Sequence, residues 1–461
     1  MARLRDTRYE PTSRRRVVLA VLGIPVALIL LVALLMPRGG SVETGFSRSK
    51  LDNSGKSQLT KGSVDARYSV VIDAGSTGSR VHIFKFLTTS AGALDLQFDK
   101  FEQLKPGLSA HAADPQAAAA SLKPLLALAQ EVIPAALHAS TRVSVGATAG
   151  LRLLPGDSAE QILQAVRALL KTYPFQSSDA DVKILTGADE GAFAWLTLNY
   201  LLGHLGEHED KTVAAIDLGG GSVQEAFAMT KEEATAAPHA NYTTVMTGGG
   251  RDYHVYVYSY LGYGLMAGRA GILAVGPKDG QAHPCLPAAY KGEYQYAGVT
   301  YPLVGGEAES PDGCARVVKE SLNVAAQCSA PQFQCTFNGA WGGGRVPSVF
   351  YISSYFWDRA VDAGLVPETS AIEAHVKPAQ FKELAQRACS TKLADMPTKF
   401  PKVLEEAYPY FCMDLTYVHT LLLEGFRVPE TTDITIVKKV QYKEEQIEAA
   451  WPLGAAINTL K

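Results

Sequence analysis

Two aspartates in this chain end near-identical phrases. Val70-Val71-Ile72-Asp73-Ala74-Gly75-Ser76-Thr77-Gly78-Ser79-Arg80 is matched by Ala214-Ala215-Ile216-Asp217-Leu218-Gly219-Gly220-Gly221-Ser222. In each, a short apolar, partly β-branched run closes on Asp-x-Gly and opens into a loop of Gly, Ser or Thr. Glycine lacks a Cβ, so such a loop turns sharply and can offer backbone N–H groups to an anion. An aspartate beside those donors adds an oxygen ligand for a hard cation. Two facing copies would clamp a metal–phosphate chain. Neither is a P-loop, since no Gly-Lys-Ser/Thr follows, and neither has Rossmann glycine spacing.

Glu190 supplies the group that could act on such a chain. It opens a helical stretch between Gly187 and Gly191. A helix-start acid commonly just complements the dipole; beside two phosphate loops it is placed to orient or deprotonate water. Thr148, between small residues at a strand end, can reach a metal-bound water or a phosphate oxygen. Arg80 and Arg152 suit either phosphate clamps or structural ion pairs. The run Tyr355-Phe356-Trp357 is a core cluster or a base-stacking platform. No Ser-His-Asp order or nucleophilic cysteine offers itself, so attack by water fits the inventory.

The elements that must position these groups alternate. The runs 70–73 and 81–86 read as strands joined by the first loop, and 143–145 and 182–185 as further strands. Residues 115–137, 159–172 and 187–202 have helical spacing. Alternation of this kind predicts an α/β fold with mostly parallel sheets. The internal repeat predicts two lobes with the site between them, and 461 residues suit two such lobes. A net charge of −3 gives no footprint for nucleic acid.

Residues 17–36 form an uncharged apolar run, enough for a helix of about 30 Å. Arg3, Arg5, Arg8, Arg14, Arg15 and Arg16 precede it. This predicts an uncleaved single-pass type II anchor, with everything after Pro37 lumenal or outside. Residues 41–63, rich in Ser, Gly and Lys, read as a flexible stem. The expected organisation is a cytosolic tail over 1–16, anchor over 17–36 and stem over 37–63. Lobe I then covers 64–186, completed by 447–461, and lobe II covers 187–446. Asn241-Tyr242-Thr243 is a glycosylation acceptor. Cys285, Cys314, Cys328, Cys335, Cys389 and Cys412 fit three disulfides in an oxidising compartment. Proximity suggests pairing of neighbours, and residues 277–341 read as a stapled insertion in lobe II.

At these residues the chain resembles the apyrase, or nucleoside-triphosphate/diphosphate diphosphohydrolase, family. Five segments carry the likeness in the family's order: 71–86, 146–154, 185–203, 214–227 and 451–457. Stretches 104–109, 260–265, 284–287 and 328–339 are similar to the fungal Golgi guanosine-diphosphatase branch. The resemblance implies an actin/Hsp70/hexokinase-like α/β fold of two RNase H-like lobes around a cleft, with the chain's end returning to the first lobe. It implies that Asp73 and Asp217 hold a divalent cation (Ca²⁺, Mg²⁺ or Mn²⁺) through its waters, with Thr148 and Trp451 as outer partners. Ser76, Thr77 and Gly78, and Gly219, Gly220, Gly221 and Ser222, would cradle phosphates. Glu190 would be the catalytic base, with Ser222 and Gln224 placing the water and Phe356 stacking the nucleoside. The first residue of the third motif's acidic pair is Asp189, a departure that leaves Glu190 in place.

The implied activity is hydrolysis of GDP or UDP to the monophosphate and phosphate by a Golgi membrane enzyme facing the lumen. The monophosphate would exchange for incoming nucleotide-sugar, supporting protein glycosylation. The alternatives are an exopolyphosphatase of the same superfamily and a non-catalytic nucleotide-binding lumenal protein. The Gly-Ser-Thr-Gly-Ser loop and the Trp451 motif disfavour the first; the complete Asp73, Glu190 and Asp217 set disfavours the second.

Overall fold

The computed structural model describes residues 66–460, apart from 76, 90–91, 278–280, 309, 331–334 and 367–369. The expected tail, the anchor over 17–36 and the stem lie outside the described residues. Among those described, no helix is long and apolar enough to cross a membrane.

Two sheets repeat one plan. The first contains β1 (Ala66–Ala74), β2 (Ser79–Thr88), β3 (Leu94–Leu104), β4 (Arg142–Ala147) and β5 (Val182–Ile184), in the order β3-β2-β1-β4-β5. The second is built on β6 (Ala214–Leu218), β7 (Ser222–Met229), β8 (Thr243–Gly248) and β9 (Arg251–Leu261). A hairpin of β10 (Lys291–Tyr296) and β11 (Val299–Val304) follows outside that sheet, which resumes with β12 (Phe350–Ser354), β13 (Glu373–Val376) and β14 (Ile434–Val437). Its order is β13-β14-β12-β6-β7-β9-β8. In both sheets the Asp-bearing strand, β1 or β6, has an antiparallel partner on one side and a parallel partner on the other. Buried on both faces, these strands read as continuous apolar runs.

Asp73 and Asp217 stand near the carboxyl ends of corresponding strands because the same plan occurs twice. Open α/β sheets bind ligands at this position, beyond the strand ends where neighbouring connections part. The helix Gly187–Leu201 packs on the second sheet and against the helix Trp451–Leu460, which also packs on β1. Gly454 makes that crossing close: a Cβ there would lie 2.1 Å from the Phe193 carbonyl oxygen. Thr197 bridges the two helices, donating to the Ala450 carbonyl and accepting from the Gly454 amide, each at 2.8 Å. One apolar core thus joins Val71 and Phe84 of the first sheet to Trp195, Val255 and Leu453.

One expected helix is divided. Residues 115–137 form the helices Pro115–Ala120 and Lys123–Val132, then a 3₁₀ segment, because Pro124 is confined to the first turn of a new helix. The disulfides are Cys285–Cys314, Cys328–Cys335 and Cys389–Cys412. A last hairpin, β15 (Lys439–Tyr442) with β16 (Glu445–Glu448), leads into the Trp451 helix.

Candidate active site

A cleft of about 440 Å³ separates the ends of β1 and β6, and Asp73, Thr77, Thr148, Glu190, Asp217 and Trp451 all line it. Asp73 is fixed at the end of β1, opposite Gly146 of β4. Its Oδ2 accepts from Arg80 Nη1 at 3.1 Å, while the buried Oδ1 has no partner among the described residues. Asp217 faces Ser353 across β6 and β12, and its Oδ1 accepts from Ser353 Oγ at 3.3 Å and Ser354 Oγ at 2.5 Å. Burial raises both carboxyl pKa values, against the pull of Arg80 on Asp73 and of the Ser354 hydroxyl on Asp217. Two desolvated carboxylates, one with an orphaned oxygen, fit a hard divalent cation, which takes oxygen ligands.

The second glycine loop is held from behind. The Gly219 carbonyl accepts from the Leu265 amide at 2.9 Å, that of Gly220 from Met266 at 2.9 Å and that of Gly221 from Gly262 at 2.8 Å. The turn into the helix Leu265–Val275 therefore engages the loop's carbonyls on the lobe side, while Gly219 and Gly220 line the cleft. Gly264 is needed there, because a Cβ would come 2.4 Å from the Ser222 nitrogen. In the first loop Thr77 is exposed on the cleft and Ser76 lies outside the described residues. Gly78 is buried against β3, where a Cβ would meet the Leu104 carbonyl oxygen at 2.8 Å. Across the lobes, a Cβ on Gly221 would approach that of Ala149 to 2.7 Å, so the two halves meet closely beside the loops.

Glu190 sits in the first turn of the Gly187 helix, capped by Thr186, whose Oγ1 accepts from the Asp189 amide at 3.0 Å. Gly187 and Gly191 let that turn lie flat on the second sheet: Cβ atoms there would collide with Ser259 and Val257. Glu190 is 9% exposed, and its carboxylate pairs with the Arg152 guanidinium. Burial pushes its pKa up to about 8; Arg152 opposes the rise, and the charges of Asp217 and Asp73 add to it. Gln224 Nε2 lies 3.4 Å from Glu190 Oε2 and donates to Ser222 Oγ at 2.7 Å and Ser259 Oγ at 2.8 Å. A buried carboxyl of raised proton affinity, a glycine loop and two further carboxylates on one cleft can together activate water against a phosphoryl group.

The structure therefore brings Asp73, Thr77, Thr148, Glu190, Asp217, Gly219, Gly220 and Trp451 to one cleft. Gly78, Gly221, Ser222 and Gln224 are buried behind its wall. The Trp451 indole reaches its place because Gly146 has no side chain: a Cβ there would lie 2.5 Å from the ring. Phe356 requires a correction. It is fully buried in the lobe II core and cannot stack on a nucleoside in this conformation; its neighbours Tyr355 and Trp357 line the cleft instead. The run crosses from β12 into the helix Tyr355–Asp362, and the turn there rotates Phe356 inward.

Several groups escaped the sequence reading. Ser353, Ser354, Lys105, Lys438, His82 and Glu448 also line the cleft. His82 Nδ1 bonds Asp99 at 2.8 Å, and its Nε2 lies 3.2 Å from Glu448. Burial disfavours its charge, but Asp99 and Glu448 prevail and push its pKa up to about 10. Strand register brings Ser353 to Asp217 and β2 beside β3 for His82 and Asp99, and no local spacing announces it.

Over residues 60–461 the chain matches the GDA1/CD39 (nucleoside phosphatase) family. It is 44% identical to Probable apyrase 1 of Oryza sativa subsp. japonica, over 99% of this chain and 97% of that protein. It is 43% identical to an apyrase of Solanum tuberosum, over 85% of this chain and 87% of that one. A nucleoside triphosphate hydrolase structure from Neospora caninum shares the fold, with a TM-score of 0.62 at 16% identity over 86% of this chain and 92% of that one. The chain belongs to the GDA1/CD39 nucleoside phosphatase family: it is a nucleoside-phosphate hydrolase built on two related mixed sheets.

Proposed function

We propose that this hydrolase removes the terminal phosphate of GDP and UDP by direct attack of water, with Glu190 as the base. The observation that carries the reading is Glu190 itself, buried and held by Arg152 in the cleft it shares with Asp73 and Asp217. A divalent cation held through its waters by Asp73 and Asp217, with Thr148 and Trp451 beyond, would neutralise phosphate charge. Gly219 and Gly220, with Thr77 opposite, bind the phosphate oxygens. Arg152 keeps the ionised form of Glu190 populated despite burial, and the raised proton affinity suits it to take a proton from water. Buried Ser222 and Gln224, hydrogen-bonded to each other beside that carboxylate, help to place the attacking water.

The cellular setting is part of the same proposal: a Golgi membrane protein, anchored by residues 17–36 and catalytic in the lumen. The pairing of all six cysteines supports an oxidising compartment. There GDP and UDP left by glycosyltransferases would be consumed, supporting protein glycosylation through nucleotide-sugar exchange. Phosphate release from GDP, UDP, ADP, GTP and polyphosphate, each with and without EDTA, tests the reading. Cation-dependent release from GDP and UDP in preference to ADP and polyphosphate is expected. Activity indifferent to EDTA, or greatest on polyphosphate, would refute it.

A further inference from the structure

Ser259 belongs to none of the five family-like segments, yet it touches the groups around Glu190 from two sides. It stands directly opposite Gln224 in the β7–β9 pair, and its Oγ accepts from Gln224 Nε2 at 2.8 Å. Its side chain also fills the space under the first residue of the Gly187 helix, where a Cβ on Gly187 would come within 2.2 Å of Ser259 Oγ.

The Gln224 nitrogen has two hydrogens and three oxygens around it. Ser222 Oγ at 2.7 Å and Ser259 Oγ at 2.8 Å are good hydrogen-bond distances, whereas Glu190 Oε2 at 3.4 Å is long. Two hydrogens satisfy two short partners, so the carboxylate receives little from the amide. Without Ser259 one hydrogen would be free, and the nearest remaining acceptor is Glu190 Oε2. A freed hydrogen donated to Glu190 Oε2 would turn the carboxylate toward Gln224 and occupy a lone pair that must accept the proton of the attacking water.

We propose that Ser259 is a positioning residue: it holds one hydrogen of the Gln224 amide away from Glu190 and so preserves the carboxylate's capacity to take a proton from the attacking water. The inference rests on Glu190 as the base. Ser259 touches no substrate and acts only through Gln224.

A double-mutant cycle on the full-length protein tests it, with GDP as substrate. Ser259→Ala should lower kcat by about tenfold while KM stays within a factor of about two, since the change misplaces a reacting group and leaves the cleft wall intact. In a Gln224→Leu background the same change should cost nothing further. Ser259→Gly, which also lacks the acceptor, should reproduce the kcat loss and replaces the alanine variant if that one fails to fold. Glu190→Gln, measured alongside, separates the two claims. If it keeps wild-type turnover, the base assignment fails and this inference with it. If it is inactive while Ser259→Ala has unchanged kcat, or loses the same factor in both backgrounds, Ser259 has no such role and the base assignment stands.

Discussion

Arg152 and Glu190 meet as an ion pair at the wall of the cleft, the guanidinium donating to one carboxylate oxygen with both side chains largely out of solvent. Burial and the charges of Asp73 and Asp217 favour a protonated Glu190, and Arg152 is the group that opposes them. Arg152→Ala should therefore raise the pKa of Glu190. The acid limb of the kcat–pH profile should move to higher pH, and turnover near pH 7 should fall by about one to two decades. An acid limb that stays in place would mean the pair does not control the base.

Ser354 donates to Asp217 from a strained position, with φ of +60° at a non-glycine residue. Such strain persists only where surrounding structure enforces it, here at the step from β12 into the Tyr355 helix. Ser354→Ala removes the donor that orients the carboxylate. The cation concentration for half-maximal activity should rise by about tenfold, with KM for nucleotide at saturating cation little changed. Titration with Ca²⁺, Mg²⁺ and Mn²⁺ reads the effect, and superposable curves would contradict it.

Gly146 and Trp451 are in direct contact across lobe I. Gly146→Ala should destabilise the fold by about 1–3 kcal/mol through overpacking and should lower activity by displacing the indole from the cleft wall. In a Trp451→Leu background most of the stability cost should vanish. Urea denaturation of the four proteins gives the comparison, and equal costs in both backgrounds would remove the contact as the cause.

The core of the site was legible and its support was not. Asp73, Asp217 and Glu190 could be read because a duplicated strand–Asp–Gly phrase and a glycine-bracketed helix start are local patterns. Ser259, Ser353 and Ser354 act through register between strands far apart in the chain. Phe356 was misplaced because three adjacent aromatics carry no phase at a strand-to-helix junction, and that turn decides which ring faces in. The segment around Tyr260 and Gly264 carried a family likeness without a role; the structure shows it holding the carbonyls of the Gly219 loop. The break in the 115–137 helix follows from Pro124, whose ring ends one helix and starts the next.

Glu225 neighbours Gln224 on β7 but is only 3% exposed in lobe II, with no partner for its Oε2 among the described residues. Burial pushes its pKa up to about 8 from an ordinary value of 4.5. A raised carboxyl pKa favours the folded state fully below pH 4.5, and that contribution is lost progressively as pH climbs to about 8. Glu225→Gln should accordingly stabilise the protein at pH 8 by a few kcal/mol while changing little at pH 4.5. Melting temperatures across that range check the sign, and a pH-independent difference would show that the carboxyl does not titrate as described.

The most direct test of the account is Glu190→Gln, which keeps the shape of the side chain and removes its capacity to take a proton. Phosphate release from GDP should fall by several decades, while nucleotide affinity in the presence of a divalent cation stays within a few-fold of wild type. Near-normal turnover in the variant would contradict the role assigned to Glu190 and, with it, the mechanism built on the cleft between Asp73 and Asp217.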